Sequence, residues 1–242
     1  GSHVRAGLLV AATGARGADA ARIANRIDGT RYGDTFLMGD VPVTVETVLH
    51  DPGQHAEADQ ARIHLAPRGV VEAFPLPFAQ RRWVAKTHEL VRPADPRQLA
   101  NLVEARCGVR LDPDAMMNTS SFGVQWRLAL PMAKGRTWLA GDAAHVVAPI
   151  GGQGMTLAWL GANRLLDAWT DHLEGRRSVE GAAASYDAAQ RREARRARQR
   201  AAWNLRMGRA SNAPWARDLL TRTLLTDPLA ARMARLFTMQ AA

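Results

Sequence analysis

A glycine-rich run links a short apolar strand to a long helix in the second half of this 242-residue chain. The strand is predicted over Thr137–Ala140 and the helix over residues 152–172. Gly141 and Asp142 lie directly after the strand, at the carboxyl edge where α/β sheets usually bind ligands. This order of strand, turn and helix restricts the segment to an α/β arrangement with a ligand-facing turn.

The residues of this turn suit a flat ligand that carries a polyol. The Asp142 carboxylate can accept hydrogen bonds from the hydroxyls of a sugar or sugar alcohol. Gly151, Gly152 and Gly154 let the backbone approach a flat ligand without interference from a Cβ atom. The free N–H groups of the following helix favour an electron-rich or anionic ring edge. The alternative is a glycine-rich turn that only connects the strand with the helix.

A second strand–turn–helix unit is predicted near the start of the sequence. It consists of an apolar strand over Gly7–Thr13, a turn over Gly14–Gly17 and a helix over Asp19–Ile27. Units of this kind occur at nucleotide sites. The spacing of Gly14 and Gly17 does not match the dinucleotide fingerprint G-x-G-x-x-G, and no other stretch of the sequence matches it.

Between these two units the pattern changes to short strands. Val41, Val43 and Val45 alternate with Pro42, Thr44 and Glu46, which predicts a strand. The block from Tyr32 to Thr87 is predicted to form an antiparallel sheet with one packed face. Further strands are predicted over Arg62–Leu65, Val70–Phe74, Arg82–Lys86 and Thr119–Leu128.

Two helical regions complete the prediction. One helix has Asp95 as its N-cap and Pro96 at its first position, and Gly108 ends it. Beyond Ser178 the chain is predicted to be helical to its end, with breaks near Pro214 and Pro228.

Four segments together resemble one family. GDAAHVVAPIGGQGMTL is similar to the G-D-A-A-H-x-x-x-P-x-x-G-x-G-x-N segment of class A flavoprotein monooxygenases, the para-hydroxybenzoate hydroxylase family. LLVAATGARGADAAR resembles the family's middle segment, V-x-A-D-G-x-x-S-x-x-R. The block with FPLP before RRWVA resembles its substrate-domain sheet, and YDAAQRR resembles its Y-x-x-E-R-R run. The resemblance covers residues 7 to about 200 in the family's order.

This resemblance implies an incomplete FAD/NAD(P)-binding three-layer domain of the α/β (α+β) class. It carries an inserted antiparallel β-sheet substrate domain and a helical C-terminus. Residues 4–30 and 115–177 are assigned to the FAD-binding domain, residues 31–114 to the substrate domain, and residues 178–242 to the C-terminal helices. The family's opening strand, glycine fingerprint and helix, which hold the ADP half of FAD, have no counterpart in the sequence. A separate N-terminal FAD-binding polypeptide is one partner that would supply them.

The resemblance also implies which residues contact the ligands. Asp142 would contact the ribityl chain of FAD, Pro149 would lie beside the isoalloxazine ring, and the amides following Gln153 would face its pyrimidine side. The predicted cofactor set is Gly14, Arg16, Gly141, Asp142, Pro149, Gly152, Gln153, Gly154, Met155 and Thr156. The predicted substrate wall is Phe74, Trp83 and Trp126, with core packing as the alternative for each. No catalytic residue is assigned, and His145 is expected to support the loop.

The function implied is FAD-dependent hydroxylation or epoxidation of an aromatic or polycyclic small molecule with NAD(P)H and O2. In such enzymes the cofactor carries the chemistry. Three departures favour another hypothesis: the glycine fingerprint is absent, Thr13 replaces an aspartate, and Thr156 replaces an asparagine. Gly161 also stands where an aspartate is common, which weakens a further polar contact. The alternative is a flavin-less descendant that acts as a cofactor-independent cyclase or isomerase, or as an accessory binding protein.

Composition argues against several other classes. All but two of the 32 basic residues are arginine, and the densest cluster, Arg191–Arg209, alternates with alanines on one predicted helix. The net charge of +9 is therefore interpreted as a solvated helix face and not as a nucleic-acid surface. The one cysteine, Cys107, makes an internal disulfide impossible, and no metal site is predicted. No apolar run reaches the roughly 18 to 20 residues of a membrane span, and a cytoplasmic location is expected.

Overall fold

The structure of the chain is a computed structural model that describes residues 3–45, 47–48, 60–149 and 152–209, together with residues 215, 219, 223 and 226. The chain divides into two compact units. Unit 1 contains Gly1–Tyr32, Gln125–Asn204 and Ala234–Ala242, and unit 2 contains Gly33–Val124 and Leu205–Met233.

The elements alternate between short strands and helices. The strands are β1 (Leu9–Ala11), β2 (Arg26–Pro42), β3 (Thr47–Val48), β4 (Arg62–His64), β5 (Val71–Leu76), β6 (Gln80–Thr87), β7 (Val109–Arg110), β8 (Met117–Leu130), β9 (Ala133–Lys134), β10 (Thr137–Leu139) and β11 (His145–Val146). The α-helices are α1 (Asp19–Ile23), α2 (Pro96–Cys107), α3 (Gln153–Leu173) and α4 (Val179–Gly208). Short 3-10 helices cover Val43–Val45 and Gly141–Ala143. The α/β class with antiparallel strands and C-terminal helices is confirmed.

In unit 1, two strands that are far apart in the sequence lie side by side. Strand β1 pairs with β10 in parallel, with Leu9 opposite Thr137 and Ala11 opposite Leu139. Strand β9 adds to the other side of β10 in the antiparallel sense. Strands β1 and β10 were predicted from their apolar runs. Each strand is shorter than the run that predicted it. Parallel pairing places the carboxyl ends of β1 and β10 at one edge of the sheet.

The core of unit 1 is built around Trp138 on β10. Its indole is fully buried and stacks on Tyr186 of α4 at a centroid distance of 5.4 Å. Trp169 of α3 meets it edge-on at 5.8 Å. The Tyr186 hydroxyl donates a hydrogen bond of 2.7 Å to the carbonyl of Leu139, so its polar atom is satisfied inside the core. Strand β10 is thereby held between the two long helices, which fixes the start of the turn that follows it.

In unit 2, strands β2, β6, β5 and β4 follow one another in an antiparallel sheet. One face of this sheet packs against α2, in a core that contains Leu37, Val71, Ala73, Trp83, Ala85, Leu99 and Val103. The helix begins as predicted: the Asp95 side chain accepts a 2.9 Å hydrogen bond from the Arg97 amide, and Pro96 occupies the first position. Gly108 ends it in the left-handed conformation, with φ of 66°.

Two local predictions are wrong, for reasons that lie in tertiary hydrogen bonds. The helix expected over Asp19–Ile27 ends at Ile23, because the Asn25 amide donates to the carbonyl of Leu130 at 2.9 Å and the chain continues as β2. The alternation of Val41, Val43 and Val45 does not continue as a strand. Strand β2 ends at Pro42, and the Val43 amide donates to the carbonyl of Ala79 at 2.9 Å as the 3-10 turn begins. The breaks predicted near Pro214 and Pro228 lie outside the described residues.

The β5–β6 hairpin turn carries two L-residues in a glycine-like conformation, Phe78 with φ of 62° and Ala79 with φ of 52°. Such a conformation costs roughly 1–2 kcal/mol for each L-residue. Ala79→Gly should therefore raise the free energy of unfolding by about 1 kcal/mol in urea titrations. The matched control is Ala105→Gly on the exposed face of α2, which should lower it by about 1 kcal/mol. If both variants lost the same free energy of unfolding, backbone strain at Ala79 would be contradicted.

Candidate functional site

The candidate site lies in unit 1, where β1 and β10 end side by side. Because these strands are parallel and Ala11 pairs with Leu139, the turns that follow them leave the sheet at the same edge. Gly14, with φ of 76°, opens the first turn, and Gly141, with φ of 59°, opens the second. The structure thus brings the two sequence-predicted turns together at one sheet edge.

Asp142 is the polar residue of the turn after β10. Its side chain is exposed, whereas the next two alanines are buried at 5% and 1% exposure. The turn is closed by a hydrogen bond of 2.9 Å from the Ala144 amide to the carbonyl of Gly141. The carboxylate therefore faces outward from a rigid backbone and can accept hydrogen bonds from ligand hydroxyls.

The N-terminus of α3 is open. Gly152 occupies the N-cap in the left-handed conformation, with φ of 66°, and no described side chain caps the helix. The Gly152 amide donates to the carbonyl of Pro149 at 2.9 Å, which closes the preceding turn. Met155 is 72% exposed, and Thr156 is exposed as well. The first-turn amides of this 21-residue helix are therefore available to an acceptor on a ligand.

Gln153, the first residue of α3, has a buried and unsatisfied amide. The residue is 2% exposed, and neither Nε2 nor Oε1 has a hydrogen-bond partner among the described residues. A buried amide without partners costs about 1–3 kcal/mol, so such groups usually have a role. Here the amide offers a donor and an acceptor next to the open amides of α3.

The turn after β1 has a different character. The Thr13 hydroxyl donates to the Asp19 carboxylate at 2.7 Å, and the Arg127 guanidinium donates to the carbonyl of Ala15. Arg16 is exposed, and the Gly17 amide donates to the carbonyl of Gly14 at 3.2 Å. Thr13, which stands where the resembled family has aspartate, is thus engaged by the first residue of α1.

His145 is bound into the core of unit 1. It is 2% exposed, and its Nε2 accepts a hydrogen bond of 2.7 Å from Nε2 of Gln190 on α4. Burial lowers the pKa of His145 to about 4, so the ring is neutral at pH 7. Gln190 also donates to the carbonyl of Leu157 at 3.1 Å and accepts from Arg164 at 2.9 Å. These contacts give His145 a supporting role for the loop.

Sequence reasoning gave Gln190 no role of its own. It belongs to YDAAQRR, the segment that resembles the family's Y-x-x-E-R-R run. Its three hydrogen bonds connect β11 with two helices, and contacts between such distant positions cannot be identified from one sequence alone.

The three residues predicted for the substrate wall have different surroundings. Phe74 is half-buried on β5, in unit 2. Trp83 is 2% exposed and belongs to the core against α2, where it stacks on His64 at 6.3 Å. Trp126, in unit 1, is also 2% exposed, and the Arg198 guanidinium lies 5.2 Å from the centroid of its indole. Contact of all three with a substrate stays a prediction.

Other chemistries find little support among the described residues. No group of three or more His, Cys, Asp or Glu side chains in the described ranges could hold a metal ion. Cys107 is half-buried, and burial raises the pKa of its thiol to about 12, so it is protonated at neutral pH. None of the described helices is both long enough and apolar enough to cross a membrane.

Comparison with known proteins identifies the class to which this fold and site belong. The family described as "FAD binding domain" matches residues 1–201. The 6-methylpretetramide 4-monooxygenase of Streptomyces rimosus is 31% identical over 165 residues, which is 66% of this chain and 28% of that protein. The chain therefore belongs to the FAD-binding-domain family.

Solved structures share the fold. The p-nitrophenol 4-monooxygenase PnpA from Pseudomonas putida DLL-E4 superposes with a TM-score of 0.76 at 21% identity, over 96% of this chain and 58% of that one. The Diels-Alderase PyrE3 of pyrroindomycin biosynthesis superposes with a TM-score of 0.70 at 24% identity, over 95% of this chain and 49% of that one. The chain spans about half the length of these structures and about a quarter of the length of the Streptomyces relative.

Proposed function

We propose that unit 1 binds the flavin end of FAD and that the protein takes part in the oxygenation of an aromatic or polycyclic small molecule. The observation that carries the proposal is the unsatisfied amide of Gln153, buried beside the uncapped N-terminus of α3. The donors and acceptors present fit the ring system of a flavin. Bound there, FAD would supply the activation of O2, with NAD(P)H as the reductant.

Each residue at the sheet edge where β1 and β10 end has a distinct role in this proposal. Asp142 accepts hydrogen bonds from the ribityl hydroxyls. Gln153 and the amides of Gly154, Met155 and Thr156 hold the pyrimidine side, where amide donors and the positive helix end stabilise negative charge. Pro149 lies beside the ring, and Gly14 and Arg16 form the neighbouring turn. His145 stays neutral and keeps the loop in place.

The substrate class rests on the printed names of relatives. One relative is named for 6-methylpretetramide and one structure for p-nitrophenol, and both names describe monooxygenases. We propose an aromatic substrate of this kind, with unit 2 contributing its binding surface. We also propose that a separate FAD-binding polypeptide with the G-x-G-x-x-G fingerprint is a partner, since this chain contains no such run.

A second function is favoured by one neighbour and two substitutions. PyrE3 is named a Diels-Alderase, which is a cyclisation activity. Thr13 and Thr156 each stand where the resembled family has a residue with stronger hydrogen-bonding capacity. A cofactor-independent cyclase, or an accessory binding protein, would keep the fold without needing NAD(P)H.

Riboflavin titration of the purified chain tests the leading proposal. Riboflavin carries the ring and the ribityl chain without the ADP half, so we expect it and FAD to bind with similar affinity. Gln153→Leu should weaken binding about tenfold, because both amide hydrogen bonds are lost. Thr156→Asn should strengthen binding severalfold, because it restores a side-chain amide. The measurement is quenching of flavin fluorescence.

The matched control is Gln199→Leu on the exposed surface of α4, which should leave riboflavin affinity unchanged. Equal weakening in both variants would count against a specific role for Gln153. A chain that binds neither riboflavin nor FAD, yet converts a substrate without NAD(P)H, would favour the cyclase.

A further inference from the structure

The sheet of unit 2 has a second face, opposite the one that packs on α2. Side chains alternate between the faces of a strand, and residues paired across antiparallel strands point to the same side. Leu37, Ala73 and Ala85 belong to the core cluster that includes residues of α2, so their strand neighbours lie on the other side. We call this the outer face; it comprises Asp34, Phe36, Met38, Asp40, Ile63, Glu72, Phe74, Arg82, Val84 and Lys86.

Most charged groups of the outer face are paired. Arg82 donates two hydrogen bonds to Asp40, at 2.7 and 2.9 Å, and Asn118 donates a third at 3.0 Å. Lys86 and Arg209 each donate to Asp34 at 2.8 Å. Burial works against the ionisation of Asp34, yet these partners hold its pKa below its usual value, and the hydrogen bond from Arg82 does the same for the pKa of Asp40.

Glu72 is the exception on this face. It is 3% exposed, and no described residue donates a hydrogen bond or forms an ion pair with its carboxyl group. Its directly paired neighbours are Val84 on β6 and Ile63 on β4, both of which are apolar. Burial alone raises the pKa of Glu72 to about 7. A carboxyl group kept in these surroundings lacks a structural partner that would explain it.

Two apolar side chains next to the buried Glu72 on this face are accessible to solvent. Ile63 is 48% exposed, and Phe74, two residues along β5 on the same face, is half-buried. An aromatic ring that covered these two side chains would bring a substituent to the Glu72 carboxyl group. The titratable and charged neighbours are Asp34, Asp40, Arg82, Lys86 and Arg209, all of which are already engaged with one another.

We propose that Glu72 is a substrate-recognition residue whose carboxyl group accepts a hydrogen bond from the hydroxyl of a phenolic or enolic ligand on the outer face. The identity of the ligand as an aromatic molecule rests on the proposed function. Arg82 and Lys86 lie on either side of Val84 on β6 and are already paired with Asp40 and Asp34, so the Glu72 oxygens are left to accept from a ligand hydroxyl. The hydroxyl donates to the ionised carboxylate more strongly than it interacts with the neutral acid.

The test compares 2-naphthol with 2-methoxynaphthalene, which has the same ring but no hydroxyl donor. We expect the wild-type chain to bind 2-naphthol about tenfold more tightly than the ether at pH 8, and the ratio to fall at pH 6 as Glu72 becomes protonated. In Glu72→Gln the ratio should fall severalfold and no longer change between pH 6 and pH 8, because the amide oxygen that remains is an uncharged and weaker acceptor. Glu89→Gln, at an exposed position of unit 2, is the matched control and should behave as wild type.

Nuclear magnetic resonance of wild-type protein with 13C-labelled glutamate provides a readout that needs no variant. One carboxyl group should titrate near pH 7, and 2-naphthol, but not the ether, should lower its midpoint. The role of Glu72 would be overturned if the wild-type chain bound 2-naphthol and 2-methoxynaphthalene equally well. It would also be overturned if 2-naphthol left the midpoint of the carboxyl titration unchanged. Riboflavin titration of the same samples distinguishes that result from a failure of the flavin proposal, because the flavin residues all lie in unit 1.

Discussion

Replacing Gly161 by alanine should destabilise unit 1 by about 3 kcal/mol. A Cβ at this position would lie 2.5 Å from Nε2 and 2.9 Å from Cδ of Gln190, closer than real side chains approach. Gln190 is fully buried, so its amide cannot move aside without losing its bonds to His145, Leu157 and Arg164. Buried hydrogen bonds contribute about 1 kcal/mol each, and groups left unsatisfied cost more.

A second glycine inside a helix provides the matched control. A Cβ at Gly181 of α4 would lie 3.4 Å from the Ser178 hydroxyl, which is an ordinary contact. Gly181→Ala should therefore raise stability by up to about 1 kcal/mol through helix propensity. Adding Gln190→Ala to Gly161→Ala should cost less than the sum of the single changes, since the clash disappears. Denaturant unfolding followed by tryptophan fluorescence is measured for wild type and four variants, including Gln190→Ala alone. A Gly161→Ala variant as stable as wild type would refute the clash.

Gly161 illustrates what one sequence can and cannot predict. Against the family pattern it was interpreted as a lost aspartate and a weakened polar contact. In the structure the missing side chain leaves space for Gln190, 29 positions later in the chain. Residues on the same helix have predictable spacing, whereas contacts between α3 and α4 depend on how the helices pack.

Elements with strong local signals were predicted best. Asp95, Pro96 and Gly108 marked both ends of α2, and the apolar runs marked β1 and β10. The turn after β10 was also found, because Gly141 and Gly152 adopt positive φ values that favour glycine. The predictions failed at Asn25 and Val43, where backbone amides donate to carbonyls that are distant in the sequence and override the local pattern.

Glu72 could not have been singled out from the sequence. A glutamate between apolar residues of a strand usually marks the solvent side of a half-buried sheet. Only the pairing of β4, β5 and β6 shows that its neighbours are apolar and that nearby cations are occupied by other carboxylates. The isolation of this carboxyl group is therefore a property of the register of the whole sheet.

Replacing Glu72 by glutamine should make unit 2 more stable at pH 8 by about 3 kcal/mol and leave its stability at pH 4 nearly unchanged. The pKa of Glu72 is raised from 4.5 to about 7 by burial, so the folded state binds more protons than the unfolded state between these values. Stability of the wild-type chain is therefore complete below about pH 4.5 and falls as the pH rises towards 7. Glutamine keeps the side-chain volume and removes the buried charge.

The wild-type profile alone cannot reveal this effect, because His145 contributes with the opposite sign. Its pKa is lowered from 6.5 to about 4, so its contribution to stability is lost as the pH falls through that window. Hydrogen exchange of β5 and β6 peptides isolates unit 2, and the measured quantity is the difference between variant and wild type from pH 4 to 8. For Glu89→Gln, the difference in stability from wild type should not change with pH. If the stability of Glu72→Gln followed the same pH dependence as that of wild type, the charge on Glu72 would not be buried. If the gain in stability coincides with loss of 2-naphthol discrimination, the cost of burying Glu72 is explained by ligand recognition.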